Sequence, residues 1–164
     1  MDLMRDLARI AEQEQALRFV AFDAATAWAL GGQLKAAAEE RNAALTIEIR
    51  LAGRALFFYE MLGARPVNAD WARRKRNLVE LYQRSSYAIG LELEREGTTL
   101  EAKLGLPLRD YATHGGSFPL QLVGVGCVGA ITVSGLPQRD DHGLIVAVLA
   151  AQLGLDAAGL ALDG

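Results

Sequence analysis

Among these 164 residues the side chains able to do chemistry near neutral pH are few, and most gather late in the chain. Both histidines, His114 and His142, lie in the stretch HGGSFPLQLVGVGCVGAITVSGLPQRDDH. Histidine titrates near neutrality and ligates metals, so the pair marks a candidate site, with His114 and His142 as the metal donors. Adding Asp141 would complete a three-ligand set by residue type, but it matches no recognised ligand spacing. Asp141 and His142 could also form a proton-transfer pair. Each has a structural role to weigh against this: Asp140 or Asp141 can cap a helix, and His114 can fix the Gly-Gly turn that follows it.

Ser117 and Ser134 each adjoin a glycine, in the contexts GGSFP and TVSGL. Neither is the G-x-S-x-G elbow of a serine nucleophile, and a hydroxyl that satisfies a turn backbone accounts for both. Cys127 sits inside an apolar run, which suits a core thiol better than a reactive one. The many glycines match neither a dinucleotide fingerprint nor a phosphate loop. Further upstream, Arg73, Arg74, Lys75 and Arg76 form the main charge run, which reads as a solvated basic face on an amphipathic helix. Consecutive helical residues point about 100° apart, so at most two of these cations could meet one anion.

The elements that must position these groups follow from periodicity. Two glycine-bounded apolar runs, 118–125 and 128–133, predict strands, and Leu144, Ile145, Val148 and Leu149 then recur at helical spacing. The glycines of this unit would let a ligand approach the backbone. Earlier, 2–16 and 24–41 predict helices, with Gly31 and Gly32 allowing close packing on a sheet, and 17–22 predicts a short strand between them. A hairpin is expected at 44–51 and 54–61 around Ala52-Gly53, because Leu45, Ile47, Ile49 and Leu51 alternate with polar residues. A loop over 62–69 should lead to one helix over 71–91, capped by Asn68 or Asp70. The region 92–107 should fray into a loop, and the tail 154–164 should be poorly ordered or used against another subunit. The result is a single α+β domain over 1–164 with a five-stranded, mainly antiparallel sheet and helices packed against it.

Composition narrows the classes of function. Hydrophobic residues make up 51% and charged residues 23%, so a folded domain is expected rather than disorder. A net charge of −3 gives no general attraction to phosphate backbones, which argues against nucleic acid as a partner. A lone cysteine forms no internal disulfide. Asp2, Asp6, Glu12 and Glu14 stand where a signal peptide would need an apolar core, and no uninterrupted apolar run of membrane-spanning length occurs. A cytoplasmic protein is the expectation.

Four blocks carry more information than spacing does. They are DWARRKRN at 70–77, SSYAIG at 85–90, HGGSFP at 114–119 and VSGLPQRDDH at 133–142. In this order they resemble one bacterial and fungal family, which is similar, more distantly, to the GlcG and HbpS type of haem-binding or haem-degrading domain. The resemblance implies a profilin-like fold, homo-oligomers, and a haem or related tetrapyrrole ligand. It places the ligand site at Trp71, Arg74, Lys75, His114, Gly115, Gly116, Ser117, Phe118, Ser134, Gln138, Asp141 and His142. Phe118 and Trp71 would wall the ring, Arg74 and Lys75 would meet its propionates, and His114 or His142 would ligate the iron. No C-x-x-C-H motif is present, so a haem would be held without thioether links. Two other readings stand beside this one. The first is an oligomeric binding or adaptor module without catalysis, favoured by the helix face of Trp28, Leu30 and Leu34. The second is an enzyme built on Asp141 and His142.

Overall fold

A computed structural model describes residues 2–163. Two hairpins make its sheet. Strands β1 (Thr46–Leu51) and β2 (Arg54–Glu60) are antiparallel, joined through Ala52 and Gly53 at φ of 50° and 77°. Two successive left-handed residues give the tight turn whose twist matches the flanking strands. Strands β3 (Ser117–Leu122) and β4 (Gly126–Ser134) form the second hairpin, and β4 docks antiparallel on β1 from Thr46↔Ser134 to Leu51↔Gly129. The order is therefore β2-β1-β4-β3. Gly129 is required by this docking, since a Cβ there would lie 1.9 Å from the Arg50 carbonyl oxygen.

The two faces of the sheet differ in chemistry. Ile47, Ile49, Phe118, Leu120, Ile131 and Val133 form the main core with Leu30 and Leu34 of helix α2 (Ala24–Glu40) and Leu144, Ile145 and Leu149 of helix α6 (Gln138–Gln152). Gly31 allows α2 to approach closely, because a Cβ would strike the Phe57 ring at 2.5 Å. The opposite face carries Thr46, Glu48, Arg50, Ser117 and Thr132 and is covered by helix α3 (Pro66–Tyr82). Charge pairs bind that layer: Arg76 donates to Glu48 at 2.9 and 3.2 Å, and Arg50 to Glu80 at 3.0 Å. Helices α1 (Leu3–Ala16) and α4 (Ser86–Glu96) close one end through Leu7, Ile10, Tyr87, Ala88 and Leu91.

Several expectations are corrected. Among the described residues the sheet has four strands, not five. Residues 17–22 make a single parallel bridge, with Phe19 donating to Gln121 at 2.9 Å and accepting from Val123 at 2.8 Å. Asp23 and Thr26 then form a capping box that starts α2 and ends the extended segment. The helix expected over 71–91 is two helices, broken where Gln83 turns left-handed (φ 58°) and Ser85 caps α4. α3 starts earlier than expected because Pro66 occupies its first turn, where a missing N–H costs nothing, so Asn68 and Asp70 are helical rather than caps. Beyond Gly97, the expected loop contains helix α5 (Leu100–Leu104), capped by Thr99. The tail is not loose: helix α7 (Ala157–Leu160) packs Ala157 and Leu160 on the main core. Its last residue, Gly164, lies outside the described residues. No helix among them is long and apolar enough to cross a membrane.

Candidate functional site

Helix α3, the 114–116 turn and the β4–α6 junction converge on a cleft of about 210 Å³. Asn68, Trp71 and Lys75 reach it from α3, where spacings of three and four residues align side chains on one face. His114 and Gly115 supply a second wall, and Ser134, Gly135, Leu136, Gln138 and Asp141 the third.

Its floor is a buried ion pair. Lys75 is 2% exposed, and its ammonium donates to the carbonyl oxygens of Gly115 at 3.0 Å and Val133 at 2.7 Å and to Asp141 Oδ2 at 3.2 Å. Three acceptors satisfy all three ammonium hydrogens. Asp141 in turn accepts from the backbone N–H groups of Gly135 at 3.3 Å and Leu136 at 3.0 Å. Burial pushes Lys75 down and Asp141 up from their ordinary pKa values, and each partner opposes that shift in the other. The two glycines fit around this pair. A Cβ on Gly115 would lie 2.1 Å from the Gln138 carbonyl oxygen, and one on Gly116 (φ 118°) 2.4 Å from Lys75 Nζ.

The mouth is different. His114 is exposed and stands edge-on to Trp71, with ring centroids 4.6 Å apart. The Arg74 guanidinium lies 3.9 Å from the Trp71 ring centroid, bonded through Nε to Asp70 and through Nη1 to the Leu108 carbonyl. Neither ring nitrogen of His114 makes a hydrogen bond among the described residues. Partial burial and the charges of Lys75 and Arg74 hold its pKa below the ordinary histidine value. At neutral pH its ring is an uncharged donor with a free lone pair.

Residues 22–150 match the family described as haem degrading protein HbpS-like. The chain belongs to that family. A UPF0303 protein of Azotobacter vinelandii is 57% identical over 163 residues, covering 99% of this chain and 98% of that one. Among solved structures, the Ybr137w protein superposes with a TM-score of 0.84 at 27% identity, covering 90% of this chain and 87% of its own. A PduOC:heme complex superposes with a TM-score of 0.68 at 20% identity, over 80% of this chain and 95% of that one, which establishes a shared fold.

Within this HbpS-like chain, Trp71, Lys75, His114, Gly115, Ser134, Gln138 and Asp141 do line one cleft. Arg74 stands at its rim on Trp71, and Gly116 packs behind Lys75. Ser117, Phe118 and His142 lie elsewhere. Ser117 is fully buried and its hydroxyl pairs with that of Thr132 at 2.8 Å, while Phe118 is part of the main core. His142 is fully buried beside the rings of Tyr87 and Phe118, and its Nε2 meets Gln13 Oε1 at 2.8 Å. Desolvation lowers its pKa to about 3, so it too is neutral, but by enclosure.

The structure therefore separates the two histidines, and no group of three or more metal-ligating side chains forms among the described residues. Asp141 and His142 are also not a working pair, since neighbouring helical residues diverge and each is bonded to a different partner. The basic run is not a solvated face: Arg73 pairs with Asp70 and Asp110, Arg74 with Asp70, Lys75 with Asp141 and Arg76 with Glu48. Asn68 lines the cleft although its place ahead of Trp71 reads in sequence as a helix cap. Its spacing of three from Trp71 and seven from Lys75 was the available signal.

Proposed function

We propose that this chain binds haem or a related tetrapyrrole at the mouth of the cleft, where His114 would hold the iron, and that it does so as a homo-oligomer. The observation that carries the reading is His114 itself: exposed, neutral, unbonded, and seated against an aromatic wall. Those are the properties an axial imidazole needs. Trp71 packs beside it beneath the Arg74 guanidinium, and Arg74 keeps Nη2 without a hydrogen bond among the described residues for a propionate. The family description and the haem-containing structural neighbour support the same ligand. A cleft of about 210 Å³ is smaller than the ~300–1,000 Å³ typical of enclosed ligand sites, so the ring would lie across the mouth. Bound haem would bring the redox and dioxygen chemistry of its iron, while this chain's residues hold and orient it.

The test is a haem titration of the purified protein followed at the Soret band. Saturation near one haem per subunit, lost in His114→Ala and retained in His142→Leu, is the expected result. A flat titration in the parent protein sinks the proposal. Soret loss under air with ascorbate would add haem breakdown to binding.

A second reading, a homo-oligomeric adaptor without catalysis, is favoured by one observation. Lys75 and Asp141, the buried ionisable groups that line the site, are both committed to internal bonds. This reading predicts a stable assembly that leaves free haem unbound.

A further inference from the structure

The two edges of the sheet are treated differently by the fold. The β3 edge is partly covered by residues 17–22, which bond to it through Phe19. Among the described residues the β2 edge has no such cover. Met61 N–H donates to the Leu45 carbonyl, and Tyr59 and Phe57 lie opposite Ile47 and Ile49, so these residues turn their backbone groups towards β1. In an antiparallel ladder the alternate residues, Phe58 and Glu60, must then present N–H and C=O outward. An open edge of this kind is a template for another strand.

The side chains around that edge are those of a contact surface. Trp28 is 73% exposed, Phe58 53% and Tyr59 41%. With Gly32, Leu56 and Phe57 they surround a groove of about 430 Å³. Clustered exposed aromatics mark interaction surfaces and are enriched at interface centres. The charges at the ends of β2 are balanced: Arg54 and Glu60 are both exposed and neither makes an ion pair among the described residues. A strongly acidic or basic partner gains little here.

We infer that β2 is the contact between two copies of this chain, paired antiparallel about a two-fold axis through Tyr59. The sheets of the two subunits become continuous, each Phe58 exchanging backbone hydrogen bonds with the partner copy's residue 60. The bulge opposite Ile49, which places both Leu56 and Phe57 against one residue of β1, ends the outward-facing run and fixes this register. Such an interface is isologous and closes on itself. The inference rests on the homo-oligomer reading above but specifies its surface.

The experiment uses the full chain, with mass measured by size-exclusion light scattering. Phe58→Arg should lower the mass at least twofold with an unchanged circular dichroism spectrum. Val125→Arg, on the β3–β4 turn, should leave the mass as in the parent. In a Cys127→Ser background, Tyr59→Cys should form an intersubunit disulfide, because facing non-hydrogen-bonded residues have Cα atoms about 4.5 Å apart. A monomeric parent protein would overturn the oligomer reading itself. An assembly that survives Phe58→Arg and does not cross-link at residue 59 would overturn only the choice of surface. Loss of mass in Phe58→Arg without cross-linking would reject the strand register.

Discussion

His114 and His142 are the same side chain put to opposite uses. Both are held neutral, yet His114 stands at an open mouth against Trp71 with both ring nitrogens free, whereas His142 is sealed between Tyr87, Phe118 and Gln13. A depressed pKa alone therefore does not identify a working histidine. Access does, since the buried His142 also has a ring nitrogen, Nδ1, without a hydrogen-bond partner among the described residues. The same division separates the floor of the cleft from its rim: Lys75 and Asp141 consume their bonding capacity holding α3, β4 and α6 together, and the rim residues are left for a ligand.

The largest test of this division is at the floor. Lys75→Met should destabilise the protein by about 3–5 kcal/mol, since it leaves Asp141 buried without its counter-ion. Urea unfolding at pH 7.5 measures it, and a loss below about 1 kcal/mol would mean that the ion pair does not anchor the site.

Enclosure of His142 gives the next effect, through pH. Its folded pKa of about 3 lies below the ordinary ~6.5, so between those values the unfolded chain binds the extra proton. The associated stability is complete above pH 6.5 and drains away as pH falls towards 3. From pH 7.5 to 5.0 the loss should be about 2 kcal/mol, at 1.36 kcal/mol per unit. His142→Leu should flatten most of that slope, and an unchanged slope would assign it to other groups. His114 has the same sign of shift but is exposed, and its contribution should be the smaller one.

The parts of the molecule legible in sequence were those set by local pattern. The alternation of Leu45, Ile47, Ile49 and Leu51 with polar residues, and the Ala52-Gly53 turn, specify the first hairpin with little outside help. The 17–22 segment failed because a short alternating run cannot reveal whether a neighbouring edge is available along its length; here only Phe19 is bonded to β3. The break between α3 and α4 was obscured by continuous helical periodicity, though Ser85 was a legible N-cap. At the site, the blocks brought seven of the expected residues to one cleft, but block membership could not distinguish a residue that lines the cleft from one that supports it. Gly115 and Gly116, taken as room for a ligand, prove to be room for Lys75 and the start of α6. That distinction depends on contacts between residues some forty to seventy positions apart, such as Lys75 with Gly115 and Asp141.

The smallest structural effect is expected at the mouth, and it is the most informative. His114→Ala removes an exposed ring that makes no hydrogen bond, so stability should change by no more than about 0.5 kcal/mol. Haem affinity should nevertheless fall about tenfold or more, a change of at least ~1.4 kcal/mol that appears only in binding. The pH profile adds an independent check. Because burial and the charges of Lys75 and Arg74 hold the His114 pKa below the ordinary histidine value, affinity in the parent protein should be level at neutral pH and above and decline in acid, at a lower pH than an unperturbed histidine would set, as protonation removes the lone pair. His114→Ala should lose that acidic limb along with the affinity. If it keeps the limb, the ligand is held by another group and the division between the two histidines does not describe the function.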